Sequence, residues 1–119
     1  MLKESSSSVR IYYPRFDRQQ LVQRLKAGLE VLEKKLPLLL VVLFGSYAKG
    51  NYTVASDIDL LVVYEGEERR GAYAIVKKTL SIPLLEPHVY SEDEYEKSKE
   101  SVYKMVESGV VLFSKESGK

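Results

Sequence analysis

Residues 38–44, LLLVVLF, form an unbroken apolar run that stops at Gly45-Ser46, and residues 57–64, DIDLLVVY, open a second such run with two aspartates. The first run is too short for an ordinary buried helix and rich in branched side chains. Bounded by Pro37 and Gly45, it reads as a strand buried on both faces. Gly45 has no side chain, so backbone N–H groups can approach a bulky anion there. A short helix beginning near Ser46 would aim its positive end at that anion, with the Ser46 hydroxyl as one more donor. By itself, Gly-Ser after a strand is more often an ordinary turn.

The second run carries more weight. Strand alternation places Asp57 and Asp59 on one face with Cα atoms about 7 Å apart. Like charges held this close repel unless something positive lies between them. A divalent cation fills that role, and oxygen-only ligands favour Mg²⁺ or Mn²⁺. The plainer alternative has Asp57 capping a turn after Ser56 and Asp59 facing water. Aspartate is disfavoured inside strands, so that alternative accounts for Asp57 better than for Asp59.

The spacing Gly45-Ser46, ten residues, Asp57, one residue, Asp59 resembles the signature of the DNA polymerase β-type nucleotidyltransferases, and within them the minimal nucleotidyltransferases (MNT). The ending Gly109-Val110-Val111-Leu112-Phe113 is similar to that family too. The resemblance implies a polymerase β-like fold, two Mg²⁺ ions with Mn²⁺ as a substitute, and ATP as substrate. It implies that Gly45 and Ser46 hold the β and γ phosphates and that Asp57 and Asp59 bind the metals of an in-line displacement. A third carboxylate is expected from a neighbouring strand, and Glu86 in LLEPHVY is the candidate for metal ligand and activator of the acceptor hydroxyl. Alternation sets Glu86 and His88 on one face, so Glu86 meets the aspartates if the two strands are neighbours. Pro87 cannot donate to a ladder and points to an edge or bulge, which leaves a solvated edge charge as the alternative for Glu86. Lys49 suits a terminal phosphate, with a solvated surface lysine as the competing reading. His88, the single histidine, is left outside the catalytic set. The family's usual partner is a HEPN protein, a helical RNase-type toxin, which the MNT protein neutralises as antitoxin by attaching AMP to a tyrosine hydroxyl.

A net charge of +1 with mixed signs gives no footprint for gripping a nucleic-acid backbone, which argues against a template-directed polymerase. There is no cysteine and hence no disulfide framework, no N-terminal apolar leader is seen, and the run at residue 38 is far below the roughly 20 residues of a membrane span. A reducing cytoplasm is the expected home. The 119 residues suit one domain over 9–114, with a mobile tail at 1–8 and a polar tail at 115–119. Its elements take up nearly all of that length, so the acceptor is expected from a partner. Nine tyrosines are compatible with a contact surface, and a homo-oligomer is also compatible. Two other functions stand beside the first: a small-molecule nucleotidyltransferase, and a non-enzymatic binding module acting by occlusion.

Along the chain, residues 9–12 suggest a short strand. Asp17 is placed as an N-cap with Gln20 at the capping-box position and Phe16 and Leu21 as a hydrophobic staple. Leu21, Leu25, Leu29, Leu32 and Leu36 then recur at helical spacing up to about Lys35. Further elements are expected at 67–80 (helix), 84–90 (strand), from Glu92 to Gly109 (helix capped by Ser91) and 110–113 (strand). The sum is an α/β or α+β sandwich with helices packed on a small mixed sheet.

Overall fold

The computed structural model describes residues 17–52 and 56–115; the expected tail at 1–8, the strand at 9–12, Phe16 of the staple and residues 116–119 lie outside the described residues. The chain order is α1 (Arg18–Lys35), β1 (Leu38–Phe44), α2 (Ser46–Lys49), β2 (Ile58–Tyr64), α3 (Ala72–Leu80), β3 (Leu85–Ser91), α4 (Glu92–Lys97), α5 (Lys99–Met105) and β4 (Val110–Ser114).

Asp17 and Gln20 form the expected capping box at the start of α1, with reciprocal bonds of 2.8 and 3.0 Å. The Tyr52 hydroxyl accepts from the Arg18 N–H at 3.1 Å, a second acceptor for the helix's first amides. Leu21, Leu25, Leu29 and Leu32 are all buried, so the leucine stripe is the core face of α1.

The four strands form one mixed sheet in the order β3-β2-β1-β4, with β1 antiparallel to β2 and β4 and β2 parallel to β3. Alternation divides the strand side chains between two cores. Val41, Leu43, Leu60, Val62 and Tyr64 pack with the α1 stripe and with Ala72, Val76 and Leu80 of α3. Val42, Phe44, Leu61 and Val63 pack on the other face with Val102, Tyr95 and Met105 from α4 and α5. The central strands β1 and β2 are therefore covered on both sides, which is why their sequences read as continuous apolar runs. Pro87 lies in β3, an edge strand, where a residue without an N–H is tolerated.

Several boundaries differ from the expected ones. The helix expected at 67–80 starts only at Ala72, because the chain is irregular up to Gly71, which takes φ 84°, and the Arg69 N–H donates to the Tyr64 hydroxyl at 2.7 Å. The helix expected between Glu92 and Gly109 is two helices, broken at Ser98, whose backbone leaves the helical region at φ −119° and ψ 21°. Its start was legible: Ser91 and Glu94 form a capping box. The strand expected from residue 84 begins at Leu85, since Leu84 takes φ 64°.

Gly109, between α5 and β4, sits where a Cβ would come within 2.8 Å of the Val106 carbonyl oxygen and 2.9 Å of the Leu43 carbonyl oxygen. Both obstacles are backbone, so they cannot rotate away, and β4 reaches β1 only because residue 109 lacks a side chain. Gly109→Ala is expected to destabilise the fold by about 1–3 kcal/mol, the usual range for overpacking. Urea denaturation monitored by circular dichroism checks this; a midpoint equal to that of the parent protein would contradict it.

Candidate active site

The antiparallel register of β1 and β2 pairs Phe44 with Asp59, so the turn that follows Phe44 lies beside the start of β2. Gly45 takes φ 80° and ψ −152°, a conformation essentially closed to residues with a side chain. It also lies under the Asp59 carboxylate. A Cβ at residue 45 would collide with Asp59 Oδ2 and come within 3.2 Å of its Cγ. The glycine expected for backbone approach to an anion is thus equally required for the approach of an acidic side chain.

Ser46 then begins the single turn of α2, half-buried, with its carbonyl accepting from the Gly50 N–H at 2.9 Å. The first amides of so short a helix have no intrahelical acceptors. Tyr47 and Ala48 anchor the turn in the core, and the Tyr47 ring stacks on Tyr52 with centroids 4.2 Å apart and planes 7° apart. Burial pushes the Tyr47 phenol above its usual pKa, with the Tyr52 phenol adding in the same direction. It is therefore a neutral packing group. Lys49 closes α2, exposed, and is one helical turn away from the contact between Gly45 and Asp59.

On the other side, the parallel register pairs Asp59 with Glu86 and Leu61 with His88. Asp59, Glu86 and His88 therefore share the face that also carries Phe44. This register is fixed at its start by two bonds: the Ile58 N–H donates to the Leu84 carbonyl at 2.8 Å, and Lys77 Nζ from α3 donates to the Leu85 carbonyl at 2.7 Å. Lys77, on the exposed side of α3, thereby ties that helix to the residue before Glu86. Asp57 stands one residue before β2, exposed, and Glu86 is exposed as well, so this end of the sheet is open to solvent.

The arrangement offers carboxylates on adjacent strands beside a glycine turn. Among the described residues, no three acidic or histidine side chains are already gathered as a finished ion cage. The fold supplies the register, while Asp57 and Glu86 keep solvent-exposed positions. His88, left outside the catalytic set in the sequence reading, lies two positions from Glu86 on the same strand face: its Nε2 is 3.6 Å from Asp59 Oδ1, and its ring meets Phe44 at 5.2 Å with planes 57° apart.

The Gly45 turn thus lies beside carboxylates carried by two adjacent strands, Asp59 on β2 and Glu86 on β3. The model of the nucleotidyltransferase domain family matches residues 25–112, which include every one of these side chains, and the chain belongs to that family. No curated protein matches it. Among solved structures, it is similar to a candidate nucleotidyltransferase from Sulfolobus solfataricus, with 24% identity, 84% of this chain and 86% of the other covered, and a TM-score of 0.61. It is also similar to a toxin–antitoxin with AMP-PNP, at 21% identity, 78% and 76% coverage and a TM-score of 0.56. A mutant of the toxin–antitoxin MntA-HpeT carrying two Asp-to-Glu substitutions gives 18% identity, the same coverage and a TM-score of 0.55. At these identities the likeness is one of fold.

The contact between residue 45 and Asp59 can be measured as a coupling. Gly45→Ala is expected to destabilise the protein by about 1–3 kcal/mol through its backbone conformation, with a further cost from the collision. In an Asp59→Ala background that further cost should largely vanish, giving a coupling of at least about 0.5 kcal/mol in a denaturant-based double-mutant cycle. Strict additivity would contradict the described approach.

Proposed function

We propose that this protein transfers AMP from ATP to a hydroxyl group, that of a tyrosine, on a partner protein of the HEPN toxin type, and so acts as its antitoxin. The single observation that carries the reading is the register that sets Asp59 between the Gly45 turn on one side and Glu86 on the other. Family membership supports the reaction class. The toxin–antitoxin structures of the same fold, one with AMP-PNP, support the nucleotide and the kind of partner.

In this reading, Gly45 and Ser46 hold the β and γ phosphates through backbone amides and the Ser46 hydroxyl, and Lys49 neutralises the terminal phosphate as a point charge. The donor set of Asp57, Asp59 and Glu86 is all carboxylate oxygen, which fits Mg²⁺ or Mn²⁺. Bound there, such ions would stabilise charge on the attacking and leaving oxygens. Glu86 accepts the proton of the acceptor hydroxyl. The acceptor oxygen bonds to the α-phosphorus as the bond from that phosphorus to the α,β-bridging oxygen breaks, and pyrophosphate leaves with that electron pair. The exposure of Asp57 and Glu86 leaves room for an acceptor presented by another protein.

With α-labelled ATP, Mg²⁺ and the cognate helical protein, label is expected on the partner. Asp57→Asn and Asp59→Asn should each lower transfer by about 100-fold or more, the scale on which preorganised charge stabilisation is lost, and Glu86→Gln should lower it as well. Label transfer that survives both aspartate substitutions would refute the site. Transfer to small hydroxylated compounds with none to the partner would refute the protein acceptor.

A further inference from the structure

We infer that His88 is a positioning residue that locks the Asp59 carboxylate in the orientation needed to hold a divalent cation; this rests on the reading of Asp59 as a metal ligand. A carboxylate on a strand rotates freely about its last side-chain bond, and a ligand that must be frozen on binding loses affinity to that ordering. Asp59 is restrained on both sides. Its Oδ2 is packed against the Cα of Gly45, where even a methyl group would not fit. Its Oδ1 faces His88 Nε2 at 3.6 Å, within ion-pair reach but longer than a direct hydrogen bond.

The imidazole is itself held in place. Phe44, buried and the register partner of Asp59 on β1, meets the His88 ring at 5.2 Å in a tilted arrangement, with planes 57° apart. His88 is carried by β3 two residues beyond Glu86, opposite Leu61, so strand pairing fixes its distance from Asp59. The His88 side chain remains 38% exposed and that of Asp59 31% exposed, so the pair is not a sealed core contact. A histidine packed only for its hydrophobic body would not need Nε2 turned toward the one acidic side chain on its face that also touches the glycine turn. Outer partners of this kind orient the groups that ligate a metal, and their loss typically weakens metal affinity about 10–100-fold.

Three variants separate orientation from packing. His88→Phe keeps an aromatic ring against Phe44 but has no donor; His88→Gln keeps an N–H donor on a shorter reach; His88→Ala removes both. The readout is Mn²⁺ binding to the full chain with AMP-PNP, followed by electron paramagnetic resonance, with thermal unfolding as a check on the fold. His88→Phe is expected to fold like the parent yet bind Mn²⁺ about 10-fold or more weakly, while His88→Gln recovers most of the loss. Parent-like Mn²⁺ affinity in His88→Phe would overturn the role of His88 and leave the nucleotidyl-transfer site standing. So would a loss in His88→Gln as large as in His88→Phe, since a donor would then have no effect. Absence of Mn²⁺ binding by the parent protein would overturn both.

Discussion

The alignment of β1 with β2 decides where the charged groups of this protein stand. Their antiparallel register pairs Phe44 with Asp59, and because Gly45 follows Phe44 directly, the turn and the carboxylate meet. A slip of one residue would reverse every side chain of β2, burying Asp59 among the leucines of α1 and exposing Leu60 in its place. The register resists such a slip because both faces are committed. Leu60, Val62 and Tyr64 fill one core while Leu61 and Val63 fill the other, and all five are at most 1% exposed. Hydrophobic burial on two faces thereby fixes the position of one charge at the sheet's end.

The second carboxylate strand is held differently. β3 has a single strand neighbour and contains Pro87, so its ladder is weaker than that of β1 and β2. Contacts at its start compensate: Leu84 bends through φ 64° so that its carbonyl receives the Ile58 N–H, and Lys77 clamps the next carbonyl. The non-glycine left-handed backbone at Leu84, a conformation costing about 1–3 kcal/mol, lies two residues from Glu86. At the far end of β3, the Ser91 capping box turns the chain into α4, which covers the second core.

Much of this was legible in the sequence, for identifiable reasons. The runs at 38–44 and 57–64 announced buried strands because both faces of each strand are apolar, and the capping box of Asp17 with Gln20 and the cap at Ser91 announced helix starts because caps are local. The neighbour relation of Asp59 and Glu86 could be posed but not decided, since strand order is set by packing far along the chain. The break at Ser98 was hidden because Tyr95 and Val102 keep helical spacing across it, whereas the late start at Ala72 had a local signal in Gly71, since residues 67–71 carry no apolar side chain. The Tyr52 cap on α1, over 34 positions of sequence, leaves no local signal at all. The approach of His88 to Asp59 could not be read from the sequence, because only the strand register brings the two together.

If acidic oxygens at the end of β2 and β3 hold a divalent cation beside the Gly45 turn, anomalous diffraction from crystals of the protein with Mn²⁺ and AMP-PNP will locate it. A manganese peak is expected at coordination distance from Asp57 and Asp59, with the nucleotide's β and γ phosphates against Gly45 and Ser46. A nucleotide bound elsewhere, or manganese that avoids both aspartates, would contradict that arrangement.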